Sequence, residues 1–138
     1  MITPAEIAAK TAWGEARGEG ITGMQAILNV IRNRAAKPGW WGESVSGVCT
    51  MPWQFSCWNA DDPNLPQIRA VTDEDPLFRA AFSMATLMIG GALHDLTRGS
   101  DSYYATTSPR PAWAAGRSPQ ITIGHHAFYR VGLNGDGR

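Results

Sequence analysis

TPAEIAAKTAWGEARGEGITGMQAILNVIRNR, residues Thr3 to Arg34, reads as two helices joined by a glycine-rich elbow that carries two acids. Thr3, Pro4 and Glu6 make a helix start: a hydroxyl cap, proline where no amide is needed, and a glutamate three residues after the cap. The first helix is expected to run to about Ala16. Along it Ile7, Ala8, Thr11, Ala12 and Glu15 recur at spacings of three and four, so Glu15 ends an otherwise apolar stripe. Glu6 and Lys10 lie on another face at a spacing that lets them pair. Thr22 and Gln25 repeat the capping pattern, and Met24, Ile27, Leu28, Ile31 and Ala35 mark the buried face of a second helix. Asn29 is placed on its polar side as a structural residue, and Pro38 and Gly39 stop it.

Beyond Gly39 the chain carries Trp40, Trp41, Pro52, Trp53, Pro63 and Pro66, a composition that favours turns and short extended pieces over long helices and suits a groove wall. Asp75 and Pro76 start a third long helix, with Leu77, Ala81, Met84, Ala85 and Met88 on its core face and Gly90 and Gly91 at its end. Ser102 to Ala105 and Gln120 to Ile123 have the aromatic and β-branched content of short strands. Residues 130–138 read as a frayed tail. The expectation is a mainly helical α+β chain with a minor β component, in a single domain over residues 1–138.

Charge excludes some partners. The formal net charge is zero over 138 residues, which leaves no electrostatic footprint for nucleic acid or an anionic membrane. No stretch is long and apolar enough to cross a bilayer, and MITPAEIAAK lacks the basic start and apolar run of a secretory signal, so synthesis in the cytoplasm is expected. Cys49 and Cys57, with seven residues between them, suit either a small-loop disulfide or two buried thiols. Zinc held by both cysteines with His125 and His126 is disfavoured, because neither pair has the close spacing of structural zinc domains.

The chemistry concentrates at WGEARGE, Trp13 to Glu19. A carboxyl on an apolar stripe loses hydration of its charged form, which keeps it protonated nearer neutrality, as a general acid for glycosidic oxygen requires. The plainer alternative is a helix-end residue paired with Arg17 or Arg34. Glu19, between Gly18 and Gly20, suits a local cap or a pair with Arg17 as well as catalytic support.

WGEARGEG, GMQAILNVIRNR, WWGESV, VC with QFSCWN and DDPN, PAWA, and IGHHAFY together resemble, in that order, the SleB-type cell wall hydrolases, the family of spore-cortex-lytic enzymes and related phage lysins. The resemblance runs from about Ile7 to Tyr129. It implies a lysozyme-like fold, related to goose-type lysozymes and lytic transglycosylases, with Glu15 as the catalytic glutamate. The implied reaction is cleavage of peptidoglycan glycan strands at the MurNAc–GlcNAc β-1,4 bond; the mechanism calls for no cofactor, no metal-binding residue is assigned, and a monomer is expected. One acid suffices in such folds, since the muramic acid can supply its own nucleophile; Glu19, Asp61, Asp62, Asp95 and Asp101 are the candidates for a second.

Gln54, Phe55, Ser56 and Trp58 resemble the short hairpin that lines the glycan cleft, with core packing the alternative for the two aromatic residues. Tyr103 and His126 are further cleft candidates, while Tyr104 is expected to point the other way. DLTRGSDSYY keeps the family's Asp95, Thr97, Gly99 and Tyr103 but has Ser102 where many members carry a histidine. His125 occupies a variable position. A silent wall-binding module and a zinc or cysteine-dependent amidase or peptidase are the competing functions. A phage endolysin released through a holin-type pore is the expected setting.

Overall fold

A computed structural model describes residues 2–52 and 54–138; Trp53, counted above among the turn-forming residues, lies outside the described residues. Among the described residues five helices and three strands follow one another: α1 (Pro4–Ala16), α2 (Gly20–Ala35), α3 (Val45–Thr50), α4 (Leu65–Ala70), α5 (Pro76–Ile89), β1 (Ser102–Ala105), β2 (Ile121–Ile123) and β3 (His126–Tyr129). Single 3-10 turns lie at Arg17–Glu19, Ser56–Trp58 and Ala112–Ala114.

The caps at two helix starts are those the residues dictate. The Thr3 side chain accepts from the Glu6 amide and the Asp75 side chain from the Phe78 amide, each just before a proline that lacks an amide to satisfy. The start of α2 differs from expectation. It begins at Gly20, whose φ of 74° lets the chain turn in directly, so Thr22 lies inside the helix. Gln25 instead donates through Nε2 to the His94 carbonyl at 2.9 Å. Lys10 does not pair with Glu6 either: its ammonium donates to the carbonyls of Ile68 and Arg69, at 3.0 and 2.7 Å, at the end of α4.

The core lies between α1, α2 and α5, where Ala8, Ala12, Met24, Ile27, Leu28, Ile31, Ala81, Ala85 and Met88 are buried together. Phe78 joins them, unforeseen from the sequence. On its other side α2 packs Ala26 and Val30 against Phe128, Tyr103, Ile121 and Ile123 of the sheet. It is therefore a central helix, and its polar side, with Gln25, Asn29 and Asn33, is turned to the loop before β1. Asn29 is buried, donates to His94 O and accepts from the Leu96 amide; Asn33 donates to Asp95 and to the Ser100 carbonyl. These amides fasten the loop that leads into β1, and Asp95 closes it by accepting from the amides of Thr97 and Gly99.

The sheet is antiparallel in the order β1-β3-β2, with Tyr103 opposite Phe128 and Ile121 opposite Phe128 from the other side. β3 supplies the middle strand, which the sequence reading had not anticipated. Tyr103 faces α2, and Tyr104 faces away onto Tyr129 and Trp113. Residues past β3, read from sequence as a tail, are hydrogen-bonded: Asp101 accepts from the amides of Val131 and Gly132, and Arg117 donates to the Gly135 carbonyl.

Candidate active site

Glu15 stands on the last turn of α1, where the helix gives way to the turn Arg17–Glu19. Opposite it runs the Ser56–Trp58 turn, in place of the hairpin expected for this segment. Two contacts press this turn against α1. The Trp58 indole donates to Thr11 Oγ1 at 2.8 Å, one helical turn before Glu15. Gly14 supplies the room: a β-carbon there would stand 3.0 Å from Cys57 Cβ and 2.7 Å from Ile68 Cδ1. The Cys57 amide then donates to Glu15 Oε1 at 3.4 Å.

Burial is the largest influence on Glu15 and raises its pKa above the usual carboxylate range. The amide and thiol of Cys57 pull the other way, the charge of Asp62 adds to the rise, and the charge of Arg34 opposes it. Neither Arg17 nor Arg34 forms an ion pair with Glu15 among the described residues. Arg17 lies over the Trp13 ring at 4.0 Å and donates to Asn64 and Gln67. A poorly hydrated, unpaired carboxyl of this kind holds its proton to higher pH than an ordinary carboxyl, as a group that gives up a proton and takes it back requires.

Glu19 does not pair with Arg17 or cap α2. Its Oε1 lies 2.9 Å from Nδ1 of His126 on β3, close enough for a charge contact but without hydrogen-bond geometry, and the His125 amide donates to it at 3.3 Å. The Tyr103 ring meets His126 edge-on at 5.3 Å between centroids. Tyr103 in turn feels the charges of Glu15 and Arg34, and burial, the largest influence, raises its hydroxyl pKa well above the usual value. Tyr103 thus stands between the two acids: its ring touches His126, which meets Glu19, and the charge of Glu15 acts on its hydroxyl.

The other candidates separate. Trp58 is half-buried and Ser56 exposed, and Trp58 lines a cavity of about 440 Å³ with Thr50, Met51, Phe55, Asn59 and Asp61. Phe55 is 1% exposed, a core residue and no open sugar platform. Gln54 faces a second cavity, of about 300 Å³, together with Arg34, Tyr103, Trp40, Trp41 and Trp113. Of the candidate second acids, Asp95 and Asp101 are consumed by backbone amides and Asp62 accepts from the Asn64 amide while acting on Glu15 by its charge. Asp61 is exposed.

Arg34 is offered by the sequence only as a partner for Glu15, and not as a site residue in its own right. It extends the apolar stripe of α2, three residues beyond Ile31, as Glu15 ends that of α1; a charge at the end of a buried stripe was the available signal.

Cys49 and Cys57 are buried and not joined to each other. Burial is the main cause that pushes the Cys49 thiol up to about 12 and the Cys57 thiol higher still, which suits inert core residues and not nucleophiles. Among the described residues no three His, Cys, Asp or Glu side chains gather into a metal-holding group, and no helix is long and apolar enough to cross a membrane.

The model of the cell wall hydrolase family matches residues 18–129, a span that includes Glu19 and His126 but begins beyond Glu15. Among solved structures, the catalytic domain of the Bacillus cereus SleB protein is 25% identical with a TM-score of 0.67, over 93% of this chain and 91% of that one. The catalytic domain of the germination-specific lytic transglycosylase SleB from Bacillus anthracis is 26% identical with a TM-score of 0.70, over 91% of this chain and 92% of that one. No curated protein matches the chain. The mainly helical, lysozyme-like fold foreseen from the sequence is the one these domains share. With four-fifths of its length under the family model and its whole architecture shared with these catalytic domains, the chain belongs to the cell wall hydrolase family and is an enzyme that acts on the cell wall.

Proposed function

We propose that this enzyme cleaves the β-1,4 bond between N-acetylmuramic acid and N-acetylglucosamine in peptidoglycan, with Glu15 as its single general acid and base. The observation that carries this reading is the Glu15 carboxyl itself, desolvated at the end of an apolar helix face and faced by the Ser56–Trp58 turn. The likeness to a domain described as a lytic transglycosylase supports it.

Protonated Glu15 gives its proton to the glycosidic oxygen as the bond to C1 of the muramic acid breaks. The positive character at C1 is then met by the sugar's own C6 hydroxyl. The Glu15 carboxylate takes the proton from that hydroxyl, which closes a 1,6-anhydro ring and restores the acid. Attack by water instead leaves a reducing end, the muramidase outcome. Other residues act on the substrate from the two cavities and the surface beside them: Gln54 and Ser56 as hydrogen-bonding groups, Trp58 and Tyr103 as sugar-facing rings, and His126 from β3, which Glu19 holds in place. One catalytic domain working as a monomer is sufficient for this scheme.

Mass spectrometry of purified peptidoglycan after digestion tests it. Anhydromuramic ends, one water lighter per cut, are expected; ordinary reducing ends would move the assignment to a muramidase. Cleaved stem peptides on intact glycan would overturn it, as would full activity in Glu15→Gln.

A further inference from the structure

Arg34 sits on the last turn of α2 and is 7% exposed, yet no carboxylate lies within 4.0 Å of it among the described residues. Its partners are neutral. Nε donates to the Asp101 carbonyl at 2.7 Å and Nη1 reaches Gln54 Oε1 at 3.4 Å. The Trp41 and Phe55 rings lie 5.7 and 5.2 Å from the guanidinium carbon. The Asp101 carboxylate is turned away, occupied by the amides of Val131 and Gly132. Of the remaining groups whose charge bears on Arg34, Tyr103 and Cys49 both have raised pKa values and are neutral at physiological pH, and Glu15 acts from beyond ion-pair range.

A guanidinium has five N–H donors in a rigid fork matched to a carboxylate, and these two hydrogen bonds engage only two of them. A buried cation that no carboxylate contacts is costly to keep, so its presence beside a cavity calls for an anion that arrives from outside. The cavity of about 300 Å³ has Arg34 and Gln54 in its wall, with Trp40 and Trp113 exposed by 61% and 36%.

We propose that this cavity is a carboxylate subsite, in which Arg34 binds the acid carried on the lactyl arm of muramic acid. The proposal rests on the peptidoglycan reading given above and deepens it. Both amino sugars are otherwise uncharged, so a cation in the cleft wall distinguishes muramic acid from glucosamine and fixes which of the two sugars stands at Glu15. The carboxylate comes either from a free lactyl group or from the stem peptide attached to it. Trp40 and Trp113 offer flat apolar faces for the neighbouring sugar or peptide.

Three substrates decide the matter: glycan strands stripped of peptide by an amidase, peptide-bearing strands, and each of these after carbodiimide amidation of its carboxyls. For the wild-type enzyme, acidic strands are expected to be cut about 10- to 100-fold faster than their amidated forms, the range of a hydrogen-bonded charge. A preference for stripped over peptide-bearing strands assigns the lactyl carboxylate, and the reverse assigns the stem peptide. Arg34→Met is expected to lose the discrimination and Arg34→Lys to keep part of it. Equal rates for acidic and amidated strands in the wild type overturn the proposal, whether or not Arg34→Met folds. So does an Arg34→Met enzyme that is slower but discriminates as before, which would mean that Arg34 acts only through Glu15. Strand binding by Glu15→Gln is measured alongside. If no strand is cut but acidic strands still bind more tightly than amidated ones, the glycosidase reading fails and the carboxylate site stands.

Discussion

The Glu19 carboxylate fills the space that a β-carbon on Gly124 would occupy, and from that position it meets His126 Nδ1 at 2.9 Å. Gly124 has φ +57°, a left-handed conformation in the turn between β2 and β3. The glycine therefore serves twice, by making the turn and by letting an acid from the α1–α2 elbow reach the sheet.

Gly124→Ala is expected to strain both functions, at a cost of about 1–2 kcal/mol from the left-handed backbone alone. A thermal melt should fall by several degrees. Adding Glu19→Ala removes the overlap, so the double variant is expected to be more stable than the sum of the two single losses predicts. Strict additivity would show that the two residues do not share this space.

Glu15→Gln is expected to lower the rate on purified peptidoglycan by roughly 10²- to 10⁴-fold, the usual contribution of a positioned general acid. Glycan binding should survive, measured by cosedimentation with insoluble wall.

The same substitution should also reveal its effect on stability. Burial raises the folded-state pKa of Glu15 above its unfolded value, so the folded protein holds the proton more tightly. The stabilisation this provides is full below the unfolded pKa and is lost as pH rises through the folded one. Glu15→Gln, uncharged at every pH, is therefore expected to gain melting temperature relative to the wild type as pH rises across that interval. Parallel melting curves from pH 4 to pH 8 would contradict the desolvation argument.

The activity profile follows from the same shift. Because the acid must begin protonated, kcat/KM is expected to decline on the alkaline side through a pKa above the usual carboxylate range. A decline centred at the ordinary value would place Glu15 in water.

Cys49 and Cys57 should resist iodoacetamide at pH 8 in the native protein and both react once it is unfolded, since burial suppresses their thiolates. Reduction of the native protein should add no hydrogens to its mass, as the two sulfurs are not joined.

What was legible in the sequence is what local chemistry decides. Thr3-Pro4 and Asp75-Pro76 announce their helices because a cap and a missing amide act within four residues. Glu15 was visible as the end of a stripe. The errors arise where distant parts of the chain decide. Thr22 and Gln25 look like a cap, but the His94 carbonyl, 69 residues away, claims Gln25. HAFY lacks β-branched residues and became a strand through pairing on both sides. The isolation of Arg34 depends on Trp41 and Phe55 closing around it, and Glu19 finds His125 at a separation of 106 residues, neither of which any local pattern encodes.

The strand order carries a consequence for biogenesis. β1 and β2 bond only to β3, which is the last of the three to be synthesised. Until residues 126–129 have left the ribosome, both earlier strands are open edges, prone to stick to other chains, and His126 is not yet there to meet Glu19. The sheet of this cell-wall enzyme therefore closes by a late, long-range pairing, and a chain cut short before it lacks both the middle strand and the partner of Glu19.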